Sequence, residues 1–169
     1  MRMIIVCVIA AIAILAAHAE SPQVGPDWSS DRFLLGAWSC DLARSGRQPA
    51  HESAIYSLGL AGRWLKLTYT LTSREPNTPS VTTEAYESFD PRLNKWVYVS
   101  LSSDGEYGTS YSDGWKGNTK TYGPAPDAKG KWRLIATKVS EREFTEDIDI
   151  SAVDGQWRRT GSLRCRKSD

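Results

Sequence analysis

From Gly36 onward the chain alternates apolar and polar residues with a period of two, in short runs broken by Gly, Pro, Asn and Asp. That pattern predicts half-buried β-strands rather than helices. The runs are Ala37–Leu42, Glu52–Leu58, Arg63–Thr72, Val81–Asp90, Lys95–Ser102, Tyr107–Ser112, Lys116–Tyr122, Lys131–Val139, Glu143–Ser151 and Gln156–Arg166. No stretch of a dozen residues has helical periodicity. Asp104-Gly105 and Asp154-Gly155 suit two-residue hairpin turns, and Asp113-Gly114 with Gly117-Asn118 marks another bend. Links this short join neighbours in space. About ten strands joined by consecutive hairpins on one sheet must curl, and closure removes both exposed edges. The predicted fold is therefore all-β, a closed antiparallel up-and-down barrel of about ten strands.

Alternation also assigns faces. Leu65, Leu67, Tyr69 and Leu71 share one side of their strand; Phe144, Ile148 and Ile150 share one side of theirs; Trp157, Leu163 and Cys165 share one side of the last. Lys95–Ser102 is undecided, with Val97, Val99 and Leu101 on one face and Trp96 and Tyr98 on the other. Trp28 and Phe33-Leu34-Leu35 suggest a helical turn against a barrel end.

The 169-residue length fits one domain. Met1-Arg2-Met3, the uncharged apolar run Ile4–Ala16 and the small residues Ala17 and Ala19 read as a secretory signal cleaved before Glu20. An uncleaved anchor is the alternative. Cys7 lies too early in the apolar run for a lipid-acceptor site, and no later stretch is long enough to span a bilayer. The organisation read is signal 1–19, flexible leader 20–32 and barrel 33–167.

Cleavage removes Arg2 from 21 basic residues, leaving a balance against 20 acidic ones. Neutral charge with both signs interspersed leaves no footprint for nucleic acid or an anionic membrane. Cleavage also removes Cys7, so Cys40 and Cys165 are the two cysteines left. In an exported chain they are expected to form one disulfide, joining first strand to last; two buried free thiols are the alternative.

Candidate chemistry is sparse. Glu146 sits between Phe144 and Ile148 on an apolar face, and Arg159 between Trp157 and Gly161 on the next strand. An inward carboxylate needs a partner. The two are expected to form an inward ion pair that orients a ligand, or else a wetted structural pair at the rim. His51 is the only histidine after cleavage, which excludes a multi-histidine metal site, and no Gly-x-Ser-x-Gly elbow exists. Asp147 and Asp149 fall on the outer face. Seven Trp and seven Tyr, many in or beside strands, suit either an aromatic-lined pocket or plain packing. Tyr98 is expected near Tyr111 across the Asp104-Gly105 hairpin.

The ordered series Leu34-Leu35-Gly36-Ala37-Trp38-Ser39-Cys40, Gly59-Leu60-Ala61-Gly62-Arg63-Trp64-Leu65, Phe89-Asp90-Pro91 with Lys95-Trp96-Val97, Asp104-Gly105, Ser112–Thr119 and Leu163-Arg164-Cys165 resembles the calycin superfamily, which includes the lipocalins. More closely it resembles secreted bacterial lipocalin-like barrels of unknown function. The resemblance implies eight to ten strands around a central cavity and no particular ligand. Some ten-stranded relatives hold haem through a histidine near the chain end. Leu163-Arg164-Cys165-Arg166 stands there instead, so no histidine-ligated haem is expected, tyrosine ligation is the option left, and no cofactor is assigned. The reading is a secreted or periplasmic barrel that binds a small, mainly apolar molecule through Trp38, Tyr69, Glu146, Trp157 and Arg159. The alternatives are a cavity enzyme using an inward acid such as Glu146, and an envelope module with a filled barrel.

Overall fold

The computed structural model describes residues 26–125, 128 and 130–169. The secretory signal read at 1–19, and the start of the leader, lie outside the described residues. A short 3-10 helix, Ser29–Leu34, precedes ten strands: β1 Gly36–Arg44, β2 Ala50–Gly59, β3 Trp64–Ser73, β4 Val81–Asp90, β5 Lys95–Ser102, β6 Tyr107–Lys116, β7 Thr119–Gly123, β8 Trp132–Ser140, β9 Glu143–Ser151 and β10 Trp157–Lys167. Each strand pairs antiparallel with its sequence neighbours, and β1 pairs with β10, so the sheet closes on itself. Among the described residues no helix is long and apolar enough to cross a membrane.

The closing seam is set by register. Cys40 lies directly opposite Cys165, their Cα atoms 4.0 Å apart, and the two are joined by a disulfide. Both point inward and are fully buried. The same parity turns Trp38 and Leu42 of β1 and Leu163 of β10 into the interior.

Several local features depart from simple alternation. In β5, Trp96 and Tyr98 face inward, while Val97, Val99 and Leu101 form the outer face; Leu101 is exposed. Tyr98 is opposite Ser110, and Tyr111 is opposite Val97, so these two tyrosines stand on opposite sides of the wall. The Asp113-Gly114 bend lies within β6 as a bulge, and the chain reverses only at Gly117-Asn118. Gly114 has φ +87°, and a Cβ there would meet Trp96 Nε1 at 2.9 Å, so only glycine lets the bulge close over that ring. At Asp104-Gly105 and Asp154-Gly155 the loops run one residue longer than a two-residue turn. The amides of Ser102 and Ala152 bond to the carbonyls of Glu106 and Gln156, and each glycine takes positive φ.

One end of the barrel is plugged by the 3-10 helix, as the Trp28 and Phe33–Leu35 pattern suggests. Phe33 packs onto Trp38 and Phe144, and Trp28 packs against Trp96, within one buried cluster that also holds Leu34. Trp38 Nε1 donates to the Leu34 carbonyl at 2.6 Å, Trp28 Nε1 to Gly62 O at 2.8 Å, and Lys167 Nζ to Phe33 O at 3.0 Å. These bonds tie the plug to the barrel wall and to the β2–β3 turn.

The disulfide closes a sequence separation of 125 residues. Chain entropy sets its worth at about 4–5 kcal/mol, an upper figure. Chemical denaturation of the C40A/C165A variant should show a loss of about 2–5 kcal/mol with an unchanged far-ultraviolet spectrum. A loss well below 1 kcal/mol would assign closure to the ladder and plug alone.

Candidate ligand cavity

Above the plug the barrel encloses a cavity of about 680 Å³. It runs from Leu34, Trp115 and Phe144 at the floor to Arg44, Arg47, Asp104 and Glu106 at the rim. Apolar lining comes from two opposite sides of the barrel, Leu65, Leu67 and Leu71 of β3 and, across the cavity, Leu134 and Ala136 of β8 with Ile148 of β9. Polar groups from β2 to β6 are interspersed with it: Tyr56, Tyr69, Thr83, Tyr98, Ser100 and Ser110. An interior of this size that keeps apolar walls and a few directed polar groups suits a small amphiphilic guest. A second hollow, of about 630 Å³, lies on the outer wall over β1, β9 and β10, between Asp41, Arg74, Asp147 and Arg164, and is an open surface depression.

Two carboxyl groups face the cavity without a protein partner. Glu52 on β2 and Glu146 on β9 flank the disulfide seam, and neither has a hydrogen bond or ion pair with any described residue. Glu146 is enclosed by the barrel, and its remaining accessible surface faces the cavity. Burial alone raises its pKa to about 7. Burial, reinforced by the nearby Glu146 charge and opposed by Arg44, raises Glu52 to about 8. The two carboxyls therefore titrate as a coupled pair near neutrality. Burial also holds the phenols of Tyr56 and Tyr98 well above their usual range, so both remain hydroxyl donors.

The floor carries a separate charge cluster, in which Asp31 Oδ2 is the one buried side-chain oxygen among the described residues without a hydrogen-bond partner. Lys120 on β7 is 1% exposed. Its ammonium lies 3.2 Å from Asp31 Oδ1 of the plug and 3.0 Å from Glu87 Oε1 of β4. It also sits 4.5 Å from the centre of the Trp96 ring. Trp115 Nε1 donates to Asp31 at 2.8 Å, and the Tyr122 hydroxyl donates to Glu87 at 3.1 Å. Burial pushes the Glu87 pKa up, Lys120 and Tyr122 work against that, and the charge of Asp31 adds to the rise. Such a cluster costs desolvation, but it binds plug, β4 and β7 in one geometry.

The sequence-predicted site residues fall into three places. Tyr69 and Glu146 line the cavity. Trp38 is buried in the floor packing, beneath the cavity wall. Arg159 and Trp157 stand on the outer surface, so the expected inward Glu146–Arg159 pair does not form. Arg159 instead bonds Asp147 at 2.9 Å and Asp149 at 3.3 Å, and Arg133 stacks on Trp157 at 4.4 Å. The reason is a bulge. Register shifts between Arg159 and Gly161, and the extra residue, Thr160, reverses the alternation, so parity counted back from Leu163 and Cys165 misassigns both. Asp149 lies on the outer face as expected, but Arg133 and Arg159 cover it. Burial acts to raise its pKa, and the bonds from these arginines outweigh that and lower it. His51 is half-exposed, with Asp41 at 3.9 Å, away from the cavity.

Sequence reasoning missed Glu52, Glu87 and Lys120. Glu52 shares its parity with Ala50, Ala54 and Tyr56, which was a readable signal. Lys120 lies in a strand of five residues, too short for alternation to show.

Comparison with known proteins gives the fold and nothing finer. No family model matches the chain, and no curated protein matches it. Its structure is similar to the crystal structure of Rv2717c from M. tuberculosis, with a TM-score of 0.56 and 14% identity over 86% of this chain and 99% of that one.

Both cavity carboxyls are raised above their unfolded value of 4.5. The folded state thus holds protons that the unfolded state releases above that pH. Their contribution is most favourable below pH 4.5 and is lost as pH rises through 7 and 8. At about 1.4 kcal/mol per unit, the Tm should fall by about 5 °C or more between pH 5 and pH 9. In the E52Q/E146Q variant the fall should shrink to a small residue; an equal fall in both proteins contradicts the assignment. Lys120→Met strands two buried carboxylates and should cost about 3–5 kcal/mol in denaturation, with the plug tryptophans gaining solvent quenching. A loss under 1 kcal/mol would mean that the plug is held by apolar packing alone.

Proposed function

We propose that this protein is an extracytoplasmic binding barrel that holds a small, mainly apolar molecule in its cavity. The observation that carries the reading is the interior itself: about 680 Å³ of space, closed at the floor and reaching a polar rim. A purely structural barrel gains stability by filling such space, since empty apolar volume costs packing energy. The apolar wall would remove the ligand's body from water, and Tyr69 with Glu146 would fix its polar end. The disulfide fits an oxidising compartment. Residues 1–19 would direct export, and the barrel at 33–167 would be the working domain.

A specific observation favours a second reading. Glu146, with its pKa near 7 inside a cavity that also holds Tyr98, has the placement of a general acid–base residue. In that case the barrel would convert its guest rather than carry it.

The test is native mass spectrometry of gently extracted protein, followed by titration with Nile red. A bound small-molecule mass and saturable uptake of the dye are the expected results. A uniformly bare mass with no dye uptake would reject binding. Recovery of the natural guest unchanged after incubation favours a carrier; conversion by the wild type and not by E146Q favours the enzyme.

A further inference from the structure

The cavity has a charge preference as well as a size. We propose that its ligand is an amphiphilic organic cation, whose ammonium lodges between Glu52 and Glu146 while its apolar body lies between Leu65 and Leu67 of β3 and Leu134 of β8. This rests on the binding reading above and narrows it to one ligand class.

Most interior charges are already committed to one another or to water. At the floor, Lys120 is held by Asp31 and Glu87, and Asp31, whose Oδ2 has no hydrogen-bond partner, does not line the cavity. At the mouth, Arg44 and Arg47 are exposed to water, and the equally exposed Asp104 and Glu106 share that rim. Between floor and mouth the cavity-facing ionisable groups are Glu52 and Glu146 together with tyrosines. Tyr56 on β2, Tyr69 on β3, Tyr98 on β5 and Tyr122 on β7 stand around the carboxyls, and β8 and β10 present only uncharged side chains there. Arg44 from β1 is the one cation that acts on Glu52.

Unpartnered acids inside a cavity are costly to keep and are normally replaced or paired. An ammonium group supplies the missing partner. Tyrosine rings and hydroxyls add cation–π contacts and acceptors for its N–H groups. An anionic guest could pair with Arg44 or Arg47 only at the water-exposed mouth and would meet two acids deeper in, and an alcohol would gain only hydrogen bonds. Binding of a protonated amine to a protonated carboxyl balances as R–NH3⁺ plus HOOC giving the R–NH3⁺···⁻OOC pair and one released proton. Affinity for a cation should therefore rise as pH passes from 6 to 8.5, while affinity for an anion should fall.

The experiment is isothermal titration of the mature protein with three probes that share one ring system: tryptamine, tryptophol and indole-3-propionate. At pH 8.5, tryptamine should bind at least about tenfold tighter than either of the others, a difference of about 1.4 kcal/mol. Its affinity should drop at pH 6. At pH 7, titrations in phosphate and in Tris should show net proton release, a readout that needs no variant. The single variants E52Q and E146Q should each weaken tryptamine about tenfold and lower the number of protons released on its binding. Equal or tighter binding of tryptophol or indole-3-propionate, or proton uptake, overturns the cation assignment. So does failure of all three probes while Nile red still enters, which leaves the binding reading standing. If Nile red also fails to enter, both readings fall.

Discussion

Water exclusion at one end of the barrel is the constraint on which everything else rests. Ten antiparallel strands enclose more space than their own inward side chains fill at every level. The 3-10 helix stops one end with Phe33 and Leu34 against Trp38 and Phe144, and Lys120 bonds its Asp31 to the wall. Removing water from that level makes the Asp31–Lys120–Glu87 cluster tight, because a charge pair without solvent competition is worth far more. The same exclusion raises the pKa of Glu52 and Glu146 one level higher. A cylinder open at both ends would hydrate these acids, and they would titrate like surface carboxyls.

The architecture was legible because its signals are local. Gly and Asp at the turns, period-two alternation, and one cysteine in each terminal strand carry the strand count, the sequential order and the Cys40–Cys165 seam. Sidedness was legible only where alternation is unbroken. Leu65 to Leu71 obeys it; Trp157 and Arg159 do not, because Thr160 adds one residue and exchanges in for out. No local feature announces that bulge, since it answers to the pairing with β9 rather than to the chain's own pattern. β5 was ambiguous for another reason. Its outer face is as apolar as its inner one, and Trp96 goes inward because Trp28 and Phe89 pack against it.

The candidate site was less legible than the fold. Glu146 stood out as a charge on an apolar face. Glu52 could be found by the same rule, but it begins a strand whose faces are mixed. Lys120 and Asp31 meet across 89 positions of sequence, and only closure of the barrel brings them together. A likeness of 14% identity to a solved barrel carries the architecture across and no residue roles. The function argued here therefore depends on this chain's own side chains. The interior charges are asymmetric: Lys120 is held between Asp31 and Glu87 at the floor, and two wall carboxyls have no partner.

The most direct test of that asymmetry is a pH titration of carbon-13-labelled glutamate side-chain carboxyls, followed by nuclear magnetic resonance on the ligand-free protein. The account predicts two resonances, lost singly in E52Q and E146Q, whose midpoints lie near 7 and 8 while exposed glutamates titrate in their ordinary range. If both titrated with the exposed glutamates, the interior would be hydrated, and the water-excluding plug with its buried, unpartnered acids would be contradicted.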